Sequence, residues 1–311
     1  MAELLSLIFI SARPIQWLKN LVLFTGLVFT GWLFIPEKFF PVFLATIIFS
    51  ILTSSVYIFN DIFDASKDRL HPLKKNRPIA SGKLPLPYAL FTAITASFIS
   101  LFLALNLSFF FFLVCLAYLS LHFFYNTILK NVAIFDVLAL ASGFILRVYA
   151  GAVVINAHIN IWLLLCVISF SLFLAVGKRR SELTLLSAKK TAGETRKVLF
   201  SYPEKLLDLY ISMFANTTWL TYAWFAFIYP KTEASTRLIH LWADIPRTFR
   251  NQKWLMATVP VVIYGVMRYL QLIYEKNEGE SPAKILITDK PLFTTVVLWG
   301  IMTVGIIYGL K

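Results

Sequence analysis

Charged side chains are scarce in this sequence. They supply 14% of the 311 residues, against 59% hydrophobic ones, whereas a soluble domain carries roughly a quarter. That deficit excludes an ordinary water-soluble globule and points to a chain whose solvent is largely lipid. Cysteine is scarcer still. Cys115 and Cys166 are the two in the chain, both inside apolar runs, so neither a disulfide framework nor a cysteine-ligated metal is expected. Period-two alternation is missing, and lipid does not tolerate open sheet edges, which excludes strand-based spans. The opening MAELLSLIFISARPIQWLKN has no basic stretch ahead of its apolar part, so no cleavable signal peptide is expected. No internal repeat is visible, which argues against a transporter built from two related halves.

What the chain does have is a succession of apolar runs near 20 residues, the length that crosses about 30 Å of hydrocarbon as helix. Nine are legible, over 21–35, 40–59, 88–106, 108–125, 133–154, 159–177, 206–229, 254–274 and 291–309. Several carry Trp or Tyr near their ends, where amphipathic rings favour the interface. The expectation is an all-α polytopic membrane protein, one integral-membrane domain over 1–311. An odd number of crossings puts the termini on opposite sides. With the N-terminus cytoplasmic, that side holds about 20 of the 29 basic residues, in keeping with the positive-inside bias. Its loops are then 61–87, 126–132, 178–205 and 275–290. Much of the net charge of +13 is thereby topology, and no nucleic-acid module is visible. The polar 230–253 segment falls on the other side, where Leu238, Leu241 and Trp242 suggest a short interfacial helix.

The stretch NDIFDASKDRLHPLKKNRPIASG, Asn60 to Gly82, breaks the apolar pattern with three aspartates and five lysines or arginines. Asp61, Asp64 and Asp68 are spaced i, i+3, i+7, so a helix presents them on one face with Asn60 at its edge. Three clustered carboxylates repel one another unless a cation neutralises them. Oxygen-only ligation of this kind suits Mg2+, which bridges one or two carboxylates to substrate phosphates. Lys74, Lys75 and Arg77 follow at once and suit an anionic ligand recruited by the metal. His71, beside Pro72, reads as a helix-end or turn residue.

NDxxDxxxD resembles the first aspartate-rich motif of the UbiA superfamily of intramembrane prenyltransferases. The resemblance implies a nine-helix bundle that binds a diphosphate through Mg2+ at the cytoplasmic side of the membrane. The superfamily's second acidic motif, often DxxxD, falls here in YNTILKNVAIFDVLALASGFILRVYAGA. Tyr125, Lys130 and Asp136 are present, but Leu140 stands where the second acid is expected. Arg147 lies three turns beyond Asp136 on the same face, roughly 16 Å along the axis. An arginine there must face the bundle interior or a wet cavity, and the expectation is a substrate lying between it and Asp136.

With RPIQWLKN, HPLKKNRPIASG, SGFILRVYAG and GKRRSEL, the pattern is similar to the phosphoribosyltransferase branch, whose members make decaprenylphosphoryl-5-phosphoribose, a cell-wall precursor. The likeness runs through nearly the whole chain. It implies 5-phosphoribosyl-1-diphosphate as donor and a polyprenyl phosphate as acceptor, with a homo-oligomer compatible. Asp61, Asp64 and Asp68 would hold the metal, with Asn60 orienting the diphosphate. Lys19, Lys74, Arg77, Lys130 and Arg147 are the phosphate-binding candidates, and Tyr125 belongs to the same motif. Lys178, Arg179 and Glu182 would close the site, and Asp136 would stand beside the reacting carbon. The alternative is a prenyltransferase that moves a polyprenyl group onto an aromatic acceptor.

Overall fold

The computed structural model describes residues 2–70, 74–188, 202–230, 253–276 and 282–309. The expected interfacial helix at Leu238–Trp242 and the expected helix end at His71 lie outside the described residues. Within them the chain is helical throughout. The elements are α1 (Ala2–Ala12), a 3-10 helix (Pro14–Phe24) running into α2 (Thr25–Phe29), α3 (Pro36–Leu70), α4 (Leu86–Leu107), α5 (Phe109–Thr127), α6 (Phe135–Val154), α7 (Ile161–Ala188), α8 (Glu204–Ile228), α9 (Val259–Lys276), α10 (Pro282–Thr288) and α11 (Lys290–Gly309).

Seven of these helices are long and apolar enough to cross a membrane, and α1 with Pro14–Phe29 makes an eighth, broken span bent by 43°. α8, 25 residues long, lies where the seventh crossing, 206–229, is expected and packs along α7, but it is not among the helices apolar enough to cross. The first crossing differs from the 21–35 expected. Pro14 has no N–H to donate and Arg13 adopts a left-handed conformation (φ 53°), so the helix breaks there. The 3-10 winding that follows rises about 2 Å per residue, which lets Pro14–Phe29 cover about 30 Å in 16 residues. α1 packs instead against the last turns of α3 and residues 79–84.

Two stretches read as loops are helical at their starts. α3 continues to Leu70 and α7 to Ala188, so Asp61–Asp68 and Lys178–Glu182 all stand on rigid helix ends. Lys67 and Arg69 in the last turn of α3 complement the helix dipole. α4 and α5 form the tight hairpin expected near Asn106, joined through Ser108 alone.

Helices approach where side chains are small. Ala89, Ala93 and Ser97 of α4 are buried, and Ser97 donates to Ser55 of α3 at 2.9 Å. At Gly151 of α6 an added Cβ would lie 1.8 Å from the Leu23 carbonyl oxygen, so α6 and the 3-10 helix touch backbone to backbone. The outward faces of α4 and α5 carry exposed Phe91, Phe98, Phe102 and Phe110, as lipid contact requires. Away from the charged end, aromatic rings fill the bundle. Phe29 meets Phe225 edge-on at 5.0 Å and lies 6.4 Å from the Trp299 ring. Trp299 donates to the Tyr222 hydroxyl at 2.8 Å.

Candidate active site

The acidic face forms at the end of α3, and each carboxylate meets a cation from another element. Arg13, at the break after α1, bonds Asp61. Arg77 reaches Asp61 Oδ1 at 3.1 Å and Asp68 Oδ2 at 2.5 Å. Lys130, in the short turn before α6, donates to Asp64 Oδ1 at 2.6 Å. Three cations thus offset the mutual repulsion of three carboxylates. Among the described residues no three acidic, histidine or cysteine side chains are gathered around a ready metal position. The donor chemistry nevertheless fits a hard cation. Beside the carboxylates, Asn60 Oδ1 is buried and has no hydrogen-bond partner among the described residues, an oxygen whose desolvation none of them offsets.

A second charged group lies beneath. Arg179 and Asp136 are both 0% exposed. Arg179 Nε donates to Asp136 Oδ2 at 2.5 Å, Nη1 to Glu182 Oε2 at 2.7 Å and Nη2 to the Tyr125 hydroxyl at 3.1 Å. Tyr202 donates to Asp136 Oδ1 at 2.7 Å and accepts from the Ile134 N–H. Burial, with that bond to Asp136, pushes the Tyr202 phenol above its ordinary range. Ile134 has φ 70°, a strained value for a β-branched residue, and the Tyr202 bond pins the turn that starts α6.

Arg147 is a further buried cation, within the apolar length of α6. It donates to Asn20 Oδ1 at 3.0 Å, to the Gly143 carbonyl at 2.7 Å and to the Tyr118 hydroxyl at 2.7 Å. All three partners are neutral, so its charge remains available. The rings of Tyr118 and Phe144 lie 5.0 and 5.3 Å from the guanidinium and hold it by cation–π attraction. Asn20 is itself aimed by bonds to Ser50 at 2.9 Å and Thr53 at 3.3 Å on α3.

These groups surround a cavity of about 200 Å3. Of the side chains singled out from the sequence, all within the described residues line it except Asp61, Lys75, Asp136 and Arg179. Asp61 is enclosed between Arg13 and Arg77, and Lys75 is exposed. Asp136 and Arg179 correct the expectation. Asp136 does share a helix with Arg147, but its carboxylate is taken up by Arg179 and Tyr202 and does not line the cavity. Arg179 holds Asp136, Tyr125 and Glu182 in place. Glu182 lines the cavity and accepts from Lys74 at 3.2 Å. Arg13, Lys67, Tyr57, His122, Asn126 and Phe144 also line it and were missed. Isolated polar residues inside an apolar span, such as His122 and Asn126, were the available signal.

Eight cationic side chains and three carboxylates, Asp64, Asp68 and Glu182, line the cavity. Lys19 and Lys178 among them make no ion pair within the described residues. Such a site suits a polyanion, and it opens among helices long and apolar enough to span a bilayer. The fold and the site thus define a membrane-embedded protein with a cationic cavity. The chain belongs to the UbiA prenyltransferase family, whose model matches residues 20–288, and it is a transferase.

Its relatives agree. It is 32% identical over 306 residues to the decaprenyl-phosphate phosphoribosyltransferase of Mycolicibacterium smegmatis, covering 95% of this chain and 90% of that one. The Corynebacterium glutamicum protein of the same name is 29% identical, covering 95% and 85%. A UbiA homologue from Archaeoglobus fulgidus bound to GPP and Mg2+ superposes with a TM-score of 0.69 at 20% identity, over 97% of this chain and 99% of that one.

Proposed function

We propose that this protein transfers 5-phosphoribosyl from phosphoribosyl diphosphate to a polyprenyl phosphate, releasing diphosphate, with Mg2+ and on the cytoplasmic side. The observation that carries the reading is the cation excess of the cavity, spread from Lys130 and Arg77 at the acidic face to Arg147 in its depth. A donor with a diphosphate at one end and a phosphate at the other matches that spread better than a prenyl diphosphate does. The similarity to phosphoribosyltransferases along nearly the whole chain supports it.

In this reading an acceptor phosphate oxygen forms the new bond to C1 as the C1–diphosphate bond breaks, and the electron pair departs with diphosphate. The acceptor is already anionic, so no general base is needed. Asp61, Asp64 and Asp68 hold the Mg2+, with Asn60 beside it. When bound, the metal neutralises charge on the leaving diphosphate. Arg13, Arg77 and Lys130, which neutralise the carboxylates otherwise, turn to phosphate oxygens. Lys19, Lys74 and Lys178 bind further phosphate, Arg147 anchors the deep end, and Tyr125 and Glu182 shape the wall. Charge fixed in place before the reaction begins supplies much of the rate acceleration in many enzymes.

The test uses purified protein with labelled phosphoribosyl diphosphate, a polyprenyl phosphate, Mg2+ and an EDTA control. Metal-dependent label in the lipid fraction is expected. No label, together with activity on a prenyl diphosphate and an aromatic acceptor, would return the chain to the prenyltransferases.

A further inference from the structure

Besides Asn60 Oδ1, two buried polar atoms on residues that line the cavity have no partner among the described residues, His122 Nε2 and Asn126 Oδ1. The two residues stand four apart on α5, hence on one face with Cβ atoms about 5–6 Å apart, and both line the cavity near Lys19, Phe144 and Arg147. Packing does not account for them. The His122 ring lies 4.4 Å from that of Tyr118 and 6.3 Å from that of Tyr125, contacts that leave the nitrogen unsatisfied. A buried polar atom in this state is destabilising until it is hydrogen-bonded.

The missing partner has to suit both groups whichever His122 tautomer and Asn126 amide orientation is present, which narrows its chemistry. Phosphate oxygens only accept, so they belong first to the fixed donors Lys19 and Arg147. A hydroxyl both donates and accepts. It therefore meets the His122 imidazole in either tautomer and the Asn126 amide whichever way that amide is turned. Two such groups one helical turn apart suit two adjacent hydroxyls on one small ring. Phe144 offers that ring an apolar wall. Gly143 keeps the approach open: even a Cβ there would lie 3.5 Å from both His122 Nε2 and Arg147 Nη1, and a longer side chain would fill the space.

We propose that His122 and Asn126 read the vicinal 2- and 3-hydroxyls of the donor's pentose, and so are specificity-determining residues. This rests on the phosphoribosyl reading above. A prenyl diphosphate has no hydroxyl to satisfy them, so the pair also separates the two donor classes.

The experiment compares the KM of phosphoribosyl diphosphate with the inhibition constants of its 2-deoxy and 3-deoxy counterparts, at fixed Mg2+ and acceptor. Wild type is expected to favour the full donor by about tenfold or more, the worth of a buried hydrogen bond. His122→Phe and Asn126→Leu should reduce that preference to within about twofold. His122→Gln, which keeps an acceptor, should retain most of it. Replacing an unpartnered polar group by an apolar one spares the fold, and an unchanged melting temperature would verify this. Variants that discriminate as wild type does would overturn the proposal. So would a wild type that binds deoxy and full donors equally, although the function proposed above would then stand. A wild type that turns over no phosphoribosyl diphosphate would overturn that function, and the diol pair with it.

Discussion

Lys130 Nζ lies 2.6 Å from Asp64 Oδ1, joining residues 66 apart in the chain. The contact ties the turn before α6 to the end of α3 and sets a cation where a metal and a phosphate would otherwise meet. Removing either partner should therefore have opposite effects on the metal. Lys130→Met should tighten Mn2+ binding to the donor-free protein severalfold, because a competing charge is gone, while raising the donor KM about tenfold or more. Electron paramagnetic resonance and steady-state kinetics would read the two effects separately.

Asp61→Ala and Asp64→Ala should lower turnover by about a hundredfold or more, since each would remove a ligand of the proposed metal. Both proteins should still elute as folded species from detergent. Wild-type rates at low Mg2+ in both variants would sink the metal assignment.

Arg147 has a planar fork held by Asn20, Gly143 and Tyr118, which on the proposed function meets a donor phosphate. Arg147→Lys keeps the charge but loses that fork. The donor KM should rise about tenfold or more in Arg147→Lys and further in Arg147→Ala. Tyr118→Phe removes one bond and should have a smaller effect, within about tenfold.

Asp136 is expected to matter for the fold rather than the chemistry. Asp136→Ala leaves Arg179 buried and short of a counter-charge, destabilising by about 3–5 kcal/mol. A melting temperature measured in detergent should fall, and the double variant Asp136→Leu/Arg179→Met should recover part of the loss. Full recovery of activity in that double variant would confirm a purely structural pair, whereas a stable but inactive Asp136→Asn would contradict it.

Gly151→Ala should disrupt the protein, because its Cβ has no room against the Leu23 backbone. Gly143→Ala, whose Cβ meets only ordinary contacts, should fold normally. Expression and monodispersity of the pair would decide.

The helical bundle was legible because crossing lipid forces apolar runs of one length, and the acidic face because helical spacing alone brings Asp61, Asp64 and Asp68 together. Other features depend on the third dimension. Nothing in the apolar pattern marks Pro14–Phe24 as 3-10, since the winding follows from a left-handed residue at Arg13. The likeness of Asp136 to a catalytic acid concealed its partner Arg179, 43 residues away. His122 and Asn126 stand out in the sequence only as polar residues in a run of aromatic and aliphatic ones, and the fold is what brings them to the cavity with unsatisfied atoms.

The aromatic plug of Phe29, Phe225 and Trp299 has a consequence for traffic. None of the three lines the charged cavity; they belong to an apolar cluster apart from it. On the proposed function, such a cluster would offer a phosphorylated head group no polar partner, and the lipid product would stay in the leaflet from which its acceptor came. Carrying that head group across the bilayer would then be a separate task for another protein.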